Sequence, residues 1–265
     1  MEFEKVKVDV DGNVAVLALN DPDTLNAVGK SMLGGLKEAF DYIEDPDNGI
    51  RCLVLTGTGR GFCSGANLQE RNDTVGDPRK ADRGQVLEYY HHPILRRMRS
   101  LEIPLITAVN GIAAGVGMSY ALMGDMILAA RSAAFLQAFR RIGLVPDGSS
   151  TWLLPRLVGL ARAKELSLMG EKLPAETALE WGMINRMYED GQLMDEAMKL
   201  ARELADGPTR SLALIRRLYA ESFDNTFEDQ IHLERMIQKE AGFTEDHWEG
   251  VAAFLEKRPS RFKGR

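Results

Sequence analysis

The chain has 265 residues, 45% of them hydrophobic and 27% charged, the profile of a folded globular protein with room for one large core. Its net charge of −6 speaks against a nucleic-acid binder, which needs a basic face; Lys257, Arg258, Arg261, Lys263 and Arg265 form only a local basic exception. Two cysteines give no disulfide framework and fit a reducing cytoplasm, and four histidines without metal-ligand spacing speak against a metal site.

The first residues mix charges and do not form a signal peptide. Residues 6–10 and 14–19, joined at Asp11-Gly12, predict a β-hairpin, and Asp21-Pro22-Asp23-Thr24 breaks it. Leu33, Leu36, Phe40 and Ile43 then fall at helical spacing, with Asp45-Pro46 as the stop. Residues 51–56 are a short apolar run that predicts a buried strand, and a glycine-rich loop, 57–65, follows it. Residues 71–84 are polar and predict a mobile surface loop. The pattern then recurs: a buried strand at 105–109, Asn110-Gly111, a glycine-punctuated helix from about Val116, and a third buried strand at 126–130. Asp125 and four glycines make residues 111–130 core rather than a membrane span. This rhythm of strand, glycine loop and helix predicts an α/β core.

From Trp152 onward the chain is helix-patterned, with Thr209, Thr226 and Thr244 as expected N-caps. The last helix carries Trp248, Val251, Ala252, Phe254 and Leu255, an apolar set suited to packing on a neighbouring subunit. The expected organisation is a core over residues 1–200 and a helical region over 201–265.

Two loops after buried strands carry the glycines that chemistry would use, at residues 59–68 and 110–117. Glycines there let the backbone turn sharply and expose N–H groups, and two such amides aimed at one spot make an oxyanion hole. Tight strand-to-helix packing asks for the same glycines, and spacing alone leaves both readings open. Neither loop contains GxGxxG or ends in GK[ST], so dinucleotide and P-loop chemistry are not indicated. Gly61-Phe-Cys63-Ser-Gly65 has the glycines of a hydrolase elbow, but the strand ends too far before Cys63, and His232 or His247 would have to serve as base. Asp147 follows an apolar run in Gly143-Leu-Val-Pro-Asp147-Gly148. It is a turn residue by its neighbours, and an acid–base group if that run walls a pocket. Asp125, between apolar segments, reads as a hydrogen-bonded structural acid.

Taken in order, these segments resemble the crotonase (enoyl-CoA hydratase/isomerase) superfamily over essentially the whole chain. The resemblance rests on Thr24-Leu-Asn-Ala27, the loop from Thr56 to Leu68, the run from Ala108 to Gly117, and Gly143-Leu-Val-Pro-Asp147. Ala178-Leu-Glu-Trp-Gly-Met-Ile184 and Ala252-Ala-Phe-Leu-Glu-Lys-Arg258 complete it. It implies an α/β fold, a spiral of ββα units with a C-terminal helical region that makes trimers or pairs of trimers. It also implies an acyl-CoA thioester as substrate, coenzyme A arriving as part of that substrate, and no other cofactor, membrane or nucleic-acid partner. By the same resemblance the amides of Ala66 and Val116 hold the thioester oxygen, and Thr24, Leu25, Ala27, Ser64, Asn67 and Leu68 line the CoA channel. Ser119 and Phe139 stand along the substrate where hydratases carry two glutamates, which removes both groups that activate water. Asp147 matches the acid of the double-bond isomerases. Thr151-Trp-Leu-Leu-Pro-Arg156 and the Gly-Arg-Gly-Phe-Cys loop bring the likeness nearest to the ring-1,2-epoxyphenylacetyl-CoA isomerases of phenylacetate breakdown.

Overall fold

The computed structural model describes residues 1–70 and 82–265, so most of the polar loop expected over 71–84 lies outside the described residues. Glu2–Phe3 (β1), Val6–Asp11 (β2) and Val14–Leu19 (β3) open the chain, and β2 and β3 form the expected antiparallel hairpin around Gly12, which turns at φ +58°. Lys30–Ile43 (α1) presents Met32, Leu33, Leu36, Phe40 and Ile43 to the core as one stripe, starting three residues before the first predicted apolar position.

Three strand pairs follow, and they explain the sequence rhythm. They are Cys52–Gly57 (β4) with Gly61–Cys63 (β5), Leu105–Val109 (β6) with Ile112–Ala114 (β7), and Met126–Ala130 (β8) with Ala134–Leu136 (β9). Each pair sends its longer strand to one sheet and its shorter strand to a second. Lys172–Pro174 (β10) and Arg186–Tyr188 (β11) close one edge of each sheet. The large sheet has the order β1-β2-β3-β4-β6-β8-β11 and is parallel from β3 onward; the small one has the order β10-β9-β7-β5, with only β10 antiparallel. This is a spiral in which every turn adds one strand to both sheets. The long strands are covered on both faces, which is why they read as unbroken apolar runs rather than alternating ones.

Arg83–Val86 (α2) and His92–Ser100 (α3) flank a single π-turn over Leu87–His91. Val116–Ala121 (α4) is the short helix predicted from Val116, and all six of its residues are buried. Ser150–Val158 (α5) and Leu160–Met169 (α6) pack on each other, and Ala175–Glu180 (α7) packs against β9, β10 and β11. Leu193–Ala205 (α8) buries Leu193, Ala197, Leu200, Ala201 and Ala205, and it packs against β3, β4, β6 and β8. Residue 200 thus falls inside a core helix, and the chain leaves the sheet only after Ala205.

Thr209–Ser222 (α9), Phe227–Ala241 (α10) and Glu245–Glu256 (α11) follow. Thr226 and Thr244 are N-caps as expected, accepting from the amides of Asp229 at 3.2 Å and His247 at 3.1 Å. Thr209 is not a cap. It is the first helical residue of α9, and its hydroxyl accepts from Nε of Arg51 at 2.7 Å, tying this helix to the start of β4. Asp125 is the structural acid its surroundings suggested, accepting from the Leu105 amide at 2.7 Å and from Nε of Arg216 in α9 at 2.6 Å. Trp248, Phe254 and Leu255 of α11 stand out from the chain, Phe254 with 83% of its surface exposed. No helix among the described residues is long and apolar enough to cross a membrane.

Candidate active site

Two backbone turns that follow strands of the small sheet, β5 and β7, come together. The first runs from Gly65 to Asn67, after β5. A single parallel bridge holds it, the Val28 amide donating to the Gly65 carbonyl at 2.7 Å and the Asn67 amide to the Val28 carbonyl at 2.8 Å. No helix begins here, unlike at the second loop. The second turn is Gly115–Val116, where Gly115 at φ +53° and ψ −126° ends β7 and Val116 opens α4. The Gly115 amide donates to Leu136 at 2.9 Å, so the neighbours of both turns are paired. Among the described residues the amides of Ala66 and Val116 themselves have no acceptor.

The two turns touch. Gly65 has φ +107°, and a Cβ there would stand 3.0 Å from the Ala114 carbonyl oxygen. A Cβ on Gly117 would run into the Cys63 carbonyl and stand 2.7 Å from its sulfur. These glycines therefore serve close approach, the tight packing that was one of the two readings spacing left open.

A buried asparagine that sequence reasoning passed over holds the first turn. Asn26 is fully buried at φ +59°, and its Nδ2 donates to the carbonyls of Gly61 at 2.8 Å, Thr58 at 3.0 Å and Phe62 at 3.3 Å. Its Oδ1 accepts from the Asp21 amide at 2.8 Å. An amide side chain in the left-handed region between Leu25 and Ala27 was the available signal. Around this knot, Ser64 donates from Oγ to the Thr24 carbonyl at 2.8 Å and from its amide to Leu25 at 2.9 Å. Thr24, Leu25, Ala27 and Ser64 are thus one wall, with Leu68 exposed at its rim. The Asn67 side chain works within its own turn, accepting from the Gln69 amide at 3.0 Å and donating to Glu70 at 3.1 Å.

Asp147 lies on a turn over the other end of the site. Its carbonyl accepts from Oγ of Ser150 at 2.8 Å, Oγ of Ser119 at 2.9 Å and the Ser150 amide at 3.2 Å. Its Oδ1 is shielded from solvent. Ser119, expected along the substrate, is fully buried, with its hydroxyl directed at this carbonyl. Phe139 is buried, and the tip of its ring would be 3.8 Å from a Cβ on Gly115, so it backs the second turn. The apolar run before Asp147 is less enclosed than its sequence suggests, since Ile142 and Val145 are exposed.

Behind Asp147 lies a buried pair absent from the sequence reading. The Tyr120 hydroxyl is 3.2 Å from Nδ1 of His91. Burial first, and then the nearby Cys63 and Asp147, push the phenol far above its ordinary range, so it stays neutral. Tyr89 and Tyr90, on the π-turn, are exposed. Burial pushes the Cys63 thiol up to about 12, while His232 and His247 sit on exposed faces of α10 and α11. Cys63 is therefore no thiolate nucleophile. An apolar cavity of about 770 Å³, lined by Leu95, Met123, Trp152, Leu153, Ile215 and Phe223, lies to one side of these groups and includes neither Asp147 nor the two turns.

The spiral of split strand pairs is a fold that this chain shares with solved enoyl-CoA hydratases. The enoyl-CoA hydratase/isomerase family model matches residues 9–265, and the chain belongs to that family. It is 46% identical over the full length of both chains to the 1,2-epoxyphenylacetyl-CoA isomerase of Escherichia coli K12. It is 38% identical, again over both full lengths, to a Rhodobacter capsulatus protein that carries an enoyl-CoA hydratase name. A crystal structure of an enoyl-CoA hydratase subunit from Geobacillus kaustophilus superposes with a TM-score of 0.91 at 33% identity, covering all of both chains.

Proposed function

We propose that the protein is an acyl-CoA isomerase that moves a double bond, or opens an epoxide, through a thioester enolate, with Asp147 as the proton shuttle. One observation carries the reading. Among the described residues the two turns expose amides without an acceptor, the second of them packed against the Asp147-Gly148 turn, while the positions matched to the hydratase glutamates hold a buried serine and a buried phenylalanine. The thioester oxygen accepts from the amides of Ala66 and Val116, which lowers the energy of the enolate. Losing one such donor typically costs about 2.7–4 kcal/mol of barrier. To move a double bond, Asp147 takes a proton from one carbon and returns it to another. To open an epoxide, it takes a proton from carbon and returns it to the oxygen released when the C–O bond breaks. In both cases the product has the composition of the substrate and no further cofactor enters the step. The wall of Thr24, Leu25, Ala27, Ser64, Asn67 and Leu68 would receive the CoA portion. The exposed apolar residues of α11 support a homotrimer or a pair of trimers, in keeping with the resemblance.

The hydratase names among relatives keep water addition as the second reading, with Asp147 acting alone through water. The test is wild type against Asp147→Asn on a 3-enoyl-CoA in deuterated water, scoring isomerisation, hydration and label exchange. Loss of both turnover and exchange in the variant supports the shuttle. Hydration of a 2-enoyl-CoA at nearly the wild-type rate by the variant overturns it.

A further inference from the structure

We propose that Ser119 is a positioning residue that sets the Asp147 carboxylate relative to the Val116 amide. The inference rests on the isomerase reading and gives a role to a residue whose hydroxyl is directed at the Asp147 backbone.

Ser119 is fully buried, and its hydroxyl has one hydrogen to give. Two acceptors are in range, the Asp147 carbonyl at 2.9 Å and the Gly115 carbonyl at 3.5 Å. The shorter contact takes the hydrogen, because the longer one sits at the limit for a hydrogen bond. The remaining donors to the Asp147 carbonyl, Oγ and the amide of Ser150, come from the helix that follows the turn and move with it. Ser119 alone among these donors reaches across from α4, 28 residues away in sequence.

Van der Waals contact enforces the same relation. Gly148 turns at φ +62°, and a Cβ there would be 2.8 Å from Cβ and Oγ of Ser119 and 3.3 Å from Cγ2 of Val116. The Asp147-Gly148 turn therefore rests on the side chains of α4, whose first residue supplies the Val116 amide. Base and oxyanion donor act on the same substrate, and one hydroxyl fixes the span between them. A misplacement of about 1 Å between groups acting together can cost on the order of a hundredfold in rate.

The experiment compares wild type, Ser119→Ala, Ser119→Cys, Ser150→Ala and Asp147→Asn for kcat and KM on a 3-enoyl-CoA. Affinity for the corresponding saturated acyl-CoA and Tm are measured alongside. Ser119→Ala is expected to lower kcat by roughly 10- to 100-fold, with KM and saturated acyl-CoA affinity within about twofold of wild type. Ser119→Cys, whose thiol donates weakly, should fall between them, and it carries the test if the alanine variant does not fold. Ser150→Ala, which keeps the link from α4, should lose less than Ser119→Ala. If Asp147→Asn is inactive while both Ser119 variants keep wild-type kcat, the positioning role is overturned and the shuttle stands. If the Ser119 variants lose activity only in step with Tm and affinity, the contact is merely structural and the inference fails. If Asp147→Asn retains full turnover, the isomerase reading falls and takes the positioning role with it.

Discussion

The two turns that expose Ala66 and Val116 present the same group by different means. The Val116 amide is unpaired because it opens a helix, and helix geometry leaves the first N–H groups without internal partners. The Ala66 amide is unpaired because a single bridge to Val28 binds its neighbours and not itself. Its position depends on distant residues, Asn26 above all, which knots the 21–28 segment to the 58–62 segment. One donor is set locally and the other by tertiary contacts. Sequence changes should therefore damage the first turn from far away and the second only from close by.

The sharpest way to break this arrangement is Gly117→Ala. Its Cβ would meet the Cys63 backbone, which cannot give way like a flexible side chain, so both turns must separate. A loss of about 3 kcal/mol or more in denaturant unfolding is expected, with little activity left in the folded fraction.

Asn26→Ala separates the two turns experimentally. It removes the Asn26 donor from three carbonyls, of which Gly61 keeps a longer contact from Nδ2 of Asn110 at 3.4 Å, and unfolding should show a loss of about 2–3 kcal/mol. Turnover should drop through the Ala66 donor, while Ser119→Ala acts on the side of α4. A double variant losing much less than the product of the two effects would contradict independent control of the turns.

Alkaline pH probes the contact between them. Burial raises Cys63 from 9.0 to about 12, and burial followed by Asp125 raises Cys52 to the same level. Above pH 9 the unfolded chain loses these protons while the folded chain keeps them, so the unfolded state binds fewer and stability falls as pH rises from 9 towards 12. Each thiol should contribute a loss of about 1.4 kcal/mol at pH 10, and Cys63→Ala should flatten the slope of stability against pH. In the native protein neither thiol should react with an alkylating reagent at pH 8.

The mildest test is Ser64→Ala. It removes one hydrogen bond, to the Thr24 carbonyl, and should cost about 1 kcal/mol, with a slight rise in KM. A larger loss in kcat than in stability would mean that the first turn is less well anchored by Asn26 than its contacts indicate.

The middle of the large sheet was legible because β2, β3, β4, β6 and β8 are long enough for an apolar run or an alternation to register, whereas its short edge strands β1 and β11 were not. The small sheet was not. β5, β7 and β9 have three residues each, below the length at which periodicity speaks, and β5 and β7 lie inside segments that read as glycine loops. Thr209 looked like a cap from its place before an apolar helix, and only the fold brings Arg51 to its hydroxyl. The candidate amides and Asp147 came from the family resemblance together with the glycines. The bond from Ser119 to Asp147 and the pair of His91 with Tyr120 join residues 28 and 29 positions apart, with no local pattern to announce them.

The splitting of each strand pair between two sheets has a consequence for how the chain can vary over evolutionary time. The residues linking β6 to β7, Asn110 and Gly111, must deliver two strands to two ladders at once, and the same holds between β4 and β5 and between β8 and β9. One residue more or less in such a link would shift a strand in one ladder against its partner in the other, turning its core-facing side chains outward. Insertions and deletions should therefore survive only where the chain leaves the spiral, so new acyl groups would be accommodated there and not by changing the links within it.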